Sequence, residues 1–261
     1  MKAPLSADQT VGVGCEGRLL PRGRRDFLVQ LAIWLGFLAF YQLARGLAGH
    51  DRVLALAHGR WVIHTERHLG DLFELTFQKL ALSSRWLEFA VSWTYWISEF
   101  AVLGLALLWV YLRRNEHFRR FRNWMLLAGV IGLIGYVVYP TAPPRMFPQD
   151  GFFDMLGQFA SLNHGSGVVQ LASNQYAAMP SLHAADSLIV GITLCCAVRT
   201  RWLKPIWLLW PAWVCFSVMA TANHFWLDCL AGGFVAFLAG AIVYRQPLGA
   251  LLAALTLNLN R

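Results

Sequence analysis

Charge is scarce in this chain: of 261 residues only 14% are Asp, Glu, Lys or Arg, while 57% are hydrophobic. Soluble domains carry roughly a quarter of their residues charged, so a water-soluble globule is excluded and a membrane protein is indicated. Acidic residues are the scarcer sign, 14 against 22 Lys and Arg, leaving a formal net charge of +8. Cysteine is sparse as well. No C-x-x-C pair occurs, and Cys195, Cys196, Cys215 and Cys229 fall in or near apolar runs, so neither a disulfide framework nor a zinc site is suggested. Internal repeats and low-complexity tracts are lacking, which leaves a single bundle as the economical architecture.

What is present is a series of apolar runs of the length that crosses about 30 Å of hydrocarbon. They lie at 27–48, 87–112, 124–140, 181–198, 205–222 and 225–245. The expectation is an all-α polytopic membrane protein, a bundle of six transmembrane helices with interfacial helices. The third run ends at Pro140, and Asp228 and the Gly232-Gly233 pair interrupt the sixth.

Lys and Arg concentrate in three segments: Arg18 to Arg25, Arg113 to Arg122, and Arg199 to Lys204. Short cytoplasmic loops retain positive charge, so these segments and both termini are expected inside. Residues 141–180 contain only Arg145 and are expected outside; residues 49–86 mix basic with acidic residues and run against the pattern. The net charge thus reads as a topology signal with some attraction for anionic lipid, and nucleic acid is not implied.

The expected organisation is a basic cytoplasmic leader over 1–26, one membrane-embedded domain over 27–245 with its motifs between 139 and 233, and a tail over 246–261. The first apolar run is too long for a cleaved signal peptide and reads as a retained anchor. With no organelle signal visible, the expected location is the cell (inner) membrane. Residues 50–85 place apolar and charged residues at helical spacing, as helices lying on the membrane surface do, and are expected to roof the bundle. The stretch "TAPPRMFPQDGFFD", starting at 141, has three prolines and a glycine that forbid a continuing helix.

Polar groups recur at the outward ends of different spans: Arg145 after the third, Ser181 and His183 at the start of the fourth, His224 and Asp228 at the start of the sixth. An antiparallel bundle brings such ends together. His224 and Asp228 are four apart, one above the other on a helix; the carboxylate can accept one ring proton and leave the other nitrogen basic. In "PSLH", Pro180 suits a first helical turn, whose free N–H groups favour an anion, and Ser181 adds a hydroxyl. His183 is placed to protonate a leaving oxygen, and Arg145 to fork onto phosphate oxygens. An aspartate within a span costs about 2.5–3.5 kcal/mol unless partnered, which asks for partners for Asp228 and for Asp186, one turn after His183. His64 and His68 share the spacing of a metal pair but have no evident third ligand, and read as surface residues.

Together, "PTAPPR", "PSLH" and H-x-x-x-D followed by "AGG" resemble the type 2 phosphatidic acid phosphatase superfamily, whose motifs are K-x6-R-P, P-S-G-H and S-R-x5-H-x3-D. Within it the likeness is greatest to the branch containing inositol phosphorylceramide synthase, the aureobasidin-resistance branch. The resemblance implies catalysis without metal or other cofactor, at the extracytoplasmic face, through a phosphohistidine on His224. Asp228 would orient His224, His183 would act as the acid, Arg145 and Ser181 would bind phosphate, and Thr141, Asn223 and Asp186 would be lining candidates.

This chain departs from the pattern in two places: Val218 stands where the third motif has arginine, although Ser217 matches, and Val138 stands at the lysine of the first. Three basic clamps are thereby cut to one. The function implied is a lipid phosphatase or phosphotransferase acting on a phospholipid or isoprenoid phosphate. If water is excluded, it becomes a headgroup transferase of the phosphosphingolipid or phosphoinositide type, with an alcohol such as inositol as acceptor. A non-catalytic lipid-binding or transport protein is the alternative from another class. The sequence leaves the oligomeric state open.

Overall fold

Backbone inside a bilayer must satisfy its own hydrogen bonds, and this chain does so with helices. The computed structural model describes residues 20–47, 51–159 and 175–259; residues 1–19 of the leader and 160–174 of the long loop lie outside them. The helices are α1 (Gly23–Leu47), α2 (Arg52–Leu69), α3 (Phe73–Leu82), α4 (Arg85–Ile97), α5 (Leu103–Arg113), α6 (Asn115–Val138), α7 (Met155–Phe159), α8 (Leu182–Ala197), α9 (Leu203–Ala220) and α10 (Trp226–Leu259). Among the described residues the β pairing is one isolated bridge, Thr141 to Ala177.

By length and composition α1, α6, α9 and α10 can cross a membrane, and α4 with α5 makes a fifth span if the pair, bent by 51°, is counted as one. A π-helical segment, Ser98–Val102, lies between those two helices, the kind of insertion that kinks a span. The fourth expected span, α8, is apolar but has 16 residues, about 24 Å of helix at 1.5 Å per residue, short of the hydrocarbon thickness. The Gly232-Gly233 pair does not interrupt α10, which runs unbroken through the stretch read as a tail.

Close approach explains the glycines instead. A Cβ on Gly232 would lie 2.1 Å from the Ser181 carbonyl oxygen, and one on Gly135 would lie 2.5 Å from Pro180. Small residues let membrane helices approach to backbone contact, and here they seat the start of α8 between α6 and α10. Phe121, Trp124, Ile189, Val190, Ala236 and Ala239 form part of the main core, where the Trp124 indole N–H donates to the Ala236 carbonyl at 2.7 Å. Leu208, Leu209, Leu230, Phe234 and Phe237 are each more than 60% exposed. Large apolar side chains exposed to this degree belong against lipid rather than water.

The amphipathic stretch 50–85 folds as α2 and α3. Asp51 caps α2 by accepting the Leu54 N–H at 3.0 Å, and Ala55, Gly59, Val62, Ile63 and Glu66 form its buried stripe. Gly59 faces Phe147 and the Ala142 carbonyl, where a Cβ would not fit. The proline-rich loop is thus sewn down: Ala142 N–H donates to Ala55, Thr141 N–H to Tyr176 and Arg145 N–H to Ala222.

Candidate active site

The turn between α9 and α10 presents the first histidine. Ala222 sits in the left-handed region, with φ 56°, and its N–H returns to the Met219 carbonyl. The N–H groups of Asn223 and His224 both donate to Val218. Val218, where the family pattern has a clamping arginine, is buried and acts here through its carbonyl. The left-handed residue turns the chain so that His224 lies buried beside the start of α8.

His224 Nδ1 lies 2.9 Å from the Ala178 carbonyl oxygen. A carbonyl only accepts, so Nδ1 carries the proton and Nε2 is left with its lone pair. Asp228 Oδ2 is 3.5 Å from the same Nδ1 and accepts the Phe225 N–H at 2.9 Å. Asp228 is therefore an electrostatic neighbour of the ring, while the nearer acceptor is a backbone oxygen that spacing alone did not disclose.

His183 sits on the first turn of α8. Its ring stacks on Tyr95 with centroids 4.5 Å apart, and it lies 5.5 Å from the His224 ring. Pro180 falls outside the helix: Ser181 is the N-cap, and its Oγ accepts the Ala184 N–H at 3.3 Å. The Ser181 N–H donates to the Asp228 carbonyl, so the two motif segments are bonded backbone to backbone.

Arg145, His183, His224 and Asn223 line one recess with Arg45, Tyr95 and Tyr136. Arg145 donates to the Asn223 side-chain carbonyl, and the Asn223 amide is held by Thr221. Burial holds the Arg145 guanidinium below its ordinary range; Tyr95 and Asp154 oppose that shift and the nearby Arg45 adds to it. Two like charges thus converge on one recess, as an anion site requires. Arg45, on α1, was not singled out by the sequence: a lone cation at the end of an apolar run reads as a boundary residue. Ser181 and Thr141 are fully buried and do not line the recess; the Thr141 hydroxyl donates to the Tyr139 carbonyl. Asp186 lines a separate apolar cavity between α1, α5, α6 and α8 with Trp34, Phe37 and Met125. Leu182 borders both. The recess has a volume of about 30 Å³, about one water's share of liquid volume, and the apolar cavity about 300 Å³, the lower end of the range for ligand pockets.

The histidines of the recess stand with arginines, His64 and His68 are held to one another along α2, and among the described residues no three His, Cys, Asp or Glu cluster as ligands.

The family model of the PAP2 superfamily matches residues 60–242. The chain belongs to the PAP2 superfamily. Arg45 and all of α1 precede the matched stretch, so part of the recess wall comes from outside the PAP2 domain. The chain is also 26% identical over 150 residues to a phosphoinositol dihydroceramide synthase of Bacteroides thetaiotaomicron, covering 52% of this chain and 48% of that protein. It therefore spans about half the length of that relative. No solved structure matches the chain.

Proposed function

We propose that this PAP2 protein is a phosphotransferase of the phosphosphingolipid type, moving a phospho-headgroup from a phospholipid donor to a lipid or polyol hydroxyl at the extracytoplasmic face. The observation carrying the reading is the convergence of two histidines and two guanidinium groups on one recess beside an apolar cavity. The relative's name, phosphoinositol dihydroceramide synthase, supports transfer over hydrolysis.

In this reading Arg45 and Arg145 hold the phosphate oxygens, since charge-assisted forks neutralise the developing charge. His224 Nε2 attacks phosphorus; a P–N bond forms as the P–O bond to the departing alcohol breaks. His183 gives its proton to that alkoxide. The acceptor hydroxyl then returns a proton to His183 and attacks phosphorus, releasing His224. Asp228 steadies the positive charge on the phosphorylated ring, and the Ala178 carbonyl fixes which nitrogen reacts. Ser181 contributes as the cap that sets the pitch of α8, and Asn223 by aiming Arg145. The donor chain occupies the cavity bordered by Leu182. The scheme involves no metal, so turnover is expected to survive EDTA.

The test is turnover by purified protein on a panel of phospholipids and isoprenoid phosphates with and without alcohol acceptors, following free phosphate and new lipids. A new phospholipid or phosphosphingolipid, lost in His224→Ala, supports transfer. Free phosphate alone, equally lost, makes the protein a lipid phosphatase, and products indifferent to His224→Ala overturn both.

A further inference from the structure

The helix that follows the nucleophile has an unusual start. An α-helix leaves its first N–H groups without partners, and a Ser, Thr, Asp or Asn at the N-cap ordinarily covers the second or third. Here the N-cap position falls to Phe225, which has no acceptor, because Asn223 and His224 are committed to the recess. Asp228, three residues on, reaches back to the Phe225 N–H, which is the return half of a capping box. Trp226 and Leu227 are covered from elsewhere. Glu74 Oε1, on α3, accepts the Trp226 N–H at 2.5 Å, and Glu66 Oε1, on α2, accepts the Leu227 N–H at 2.9 Å.

Both glutamates are completely buried. Their Oε2 atoms meet no hydrogen-bond partner, and the Glu66 carboxyl feels the charge of the Glu74 carboxyl. Their Oε1 atoms sit on the N–H groups of adjacent residues, so the two carboxyl groups are brought to one point of the bundle. Both stand at the positive end of the α10 dipole, where carboxyl oxygens are favourable acceptors.

We propose that Glu66 and Glu74 act as a clamp that positions the nucleophile, holding the first turn of α10 so that Asp228 and His224 keep their spacing. The inference rests on the functional reading of His224 given above. It assigns the roofing helices a purpose beyond covering the bundle: they supply the cap that the site residues cannot. Glu66 and Glu74 touch no reacting atom. They act through Leu227, Trp226 and then Asp228, whose Oδ2 is shared between the Phe225 N–H and the His224 ring.

The experiment compares Glu66→Ala, Glu74→Ala, Glu66→Gln and Glu74→Gln in the full chain in detergent, reading kcat, KM and amide hydrogen exchange across residues 224–230. Displacing a reacting group by about 1 Å costs on the order of 10²-fold in rate. Each alanine variant is expected to lose about that factor in kcat with KM little changed, and to exchange faster in the first turn of α10. Each glutamine keeps a carbonyl acceptor for the backbone N–H, so it is expected to recover at least about tenfold over the matching alanine variant. Alanine variants with wild-type exchange in the first turn would overturn the clamp, as would glutamine variants no better than alanine ones. Exchange is read without substrate, so the clamp is tested even if no lipid in the panel turns over.

Discussion

Arg45 is the residue whose role changes most between sequence and structure. In the sequence it is one cation near the end of α1; in space it faces Arg145 across the recess that holds both histidines. It offers a second guanidinium where Val218 and Val138 leave the family's usual clamps empty. Hydrogen bonds to charged groups contribute about 1.5–3 kcal/mol, or about 10- to 100-fold. Arg45→Ala is accordingly expected to lower kcat/KM within that range, with Arg45→Lys recovering part through charge alone. Kinetics on whichever donor lipid turns over, with vanadate inhibition as a second reading of anion affinity, checks this; unchanged values in Arg45→Ala would return Arg45 to a boundary role. Ala222 offers a separate check. A non-glycine residue in the left-handed region carries roughly 1–2 kcal/mol of strain, so Ala222→Gly is expected to hold or raise the thermal midpoint. A fall would show that the Ala222 methyl packing outweighs that strain.

At the scale of elements, α2 and α3 do more than lie over the bundle, since α10 is capped by them. Burial, added to by the neighbouring Glu74 carboxyl, raises Glu66 from the ordinary 4.5 to about 9, and burial raises Glu74 to about 7. The titratable groups facing the pair are Asp228, which acts on both, and Cys229, which feels Glu74. The sign follows from proton counting: between pH 4.5 and about 9 the folded chain holds protons that the unfolded chain has released, so stability falls as pH rises through that window. The thermal midpoint in detergent is expected to decline from pH 5 to pH 9, and to decline less in Glu66→Gln, which has no carboxyl to ionise. A midpoint that rose over that range in the wild type, or an equal slope in the variant, would refute the assignment.

For the whole molecule, orientation is the open physical quantity. The recess lies at the end of the bundle where α1 and α6 finish and α8 and α10 begin, while Arg113, Arg114, Arg119, Arg120 and Arg122 surround the opposite ends of α5 and α6. By the positive-inside rule the recess should face outward. Single cysteines replacing Asp150 and Asn115, in a background without native thiols, would be labelled in intact cells by a membrane-impermeant maleimide at 150 and not at 115. The reverse pattern would put the chemistry on the cytoplasmic side.

Composition and hydropathy alone determined that the chain is helical and lies in a membrane, because solvent choice depends on totals that need no contacts. The motifs determined which residues to suspect, since His183, Arg145, Asn223 and His224 do meet at one recess. The count of spans was less legible, because apolar runs do not reveal that α8 is short or that α4 and α5 are bent. Only the tertiary structure decided the partners. The Ala178 carbonyl, rather than Asp228 alone, sets the His224 tautomer; Arg45 comes from outside the family's matched stretch; Glu66 and Glu74 cap a helix more than 150 residues away in sequence. The reason is physical. Periodicity and spacing describe what one segment does to itself, whereas capping, charge neutralisation and tautomer choice depend on atoms that only packing brings within about 3 Å.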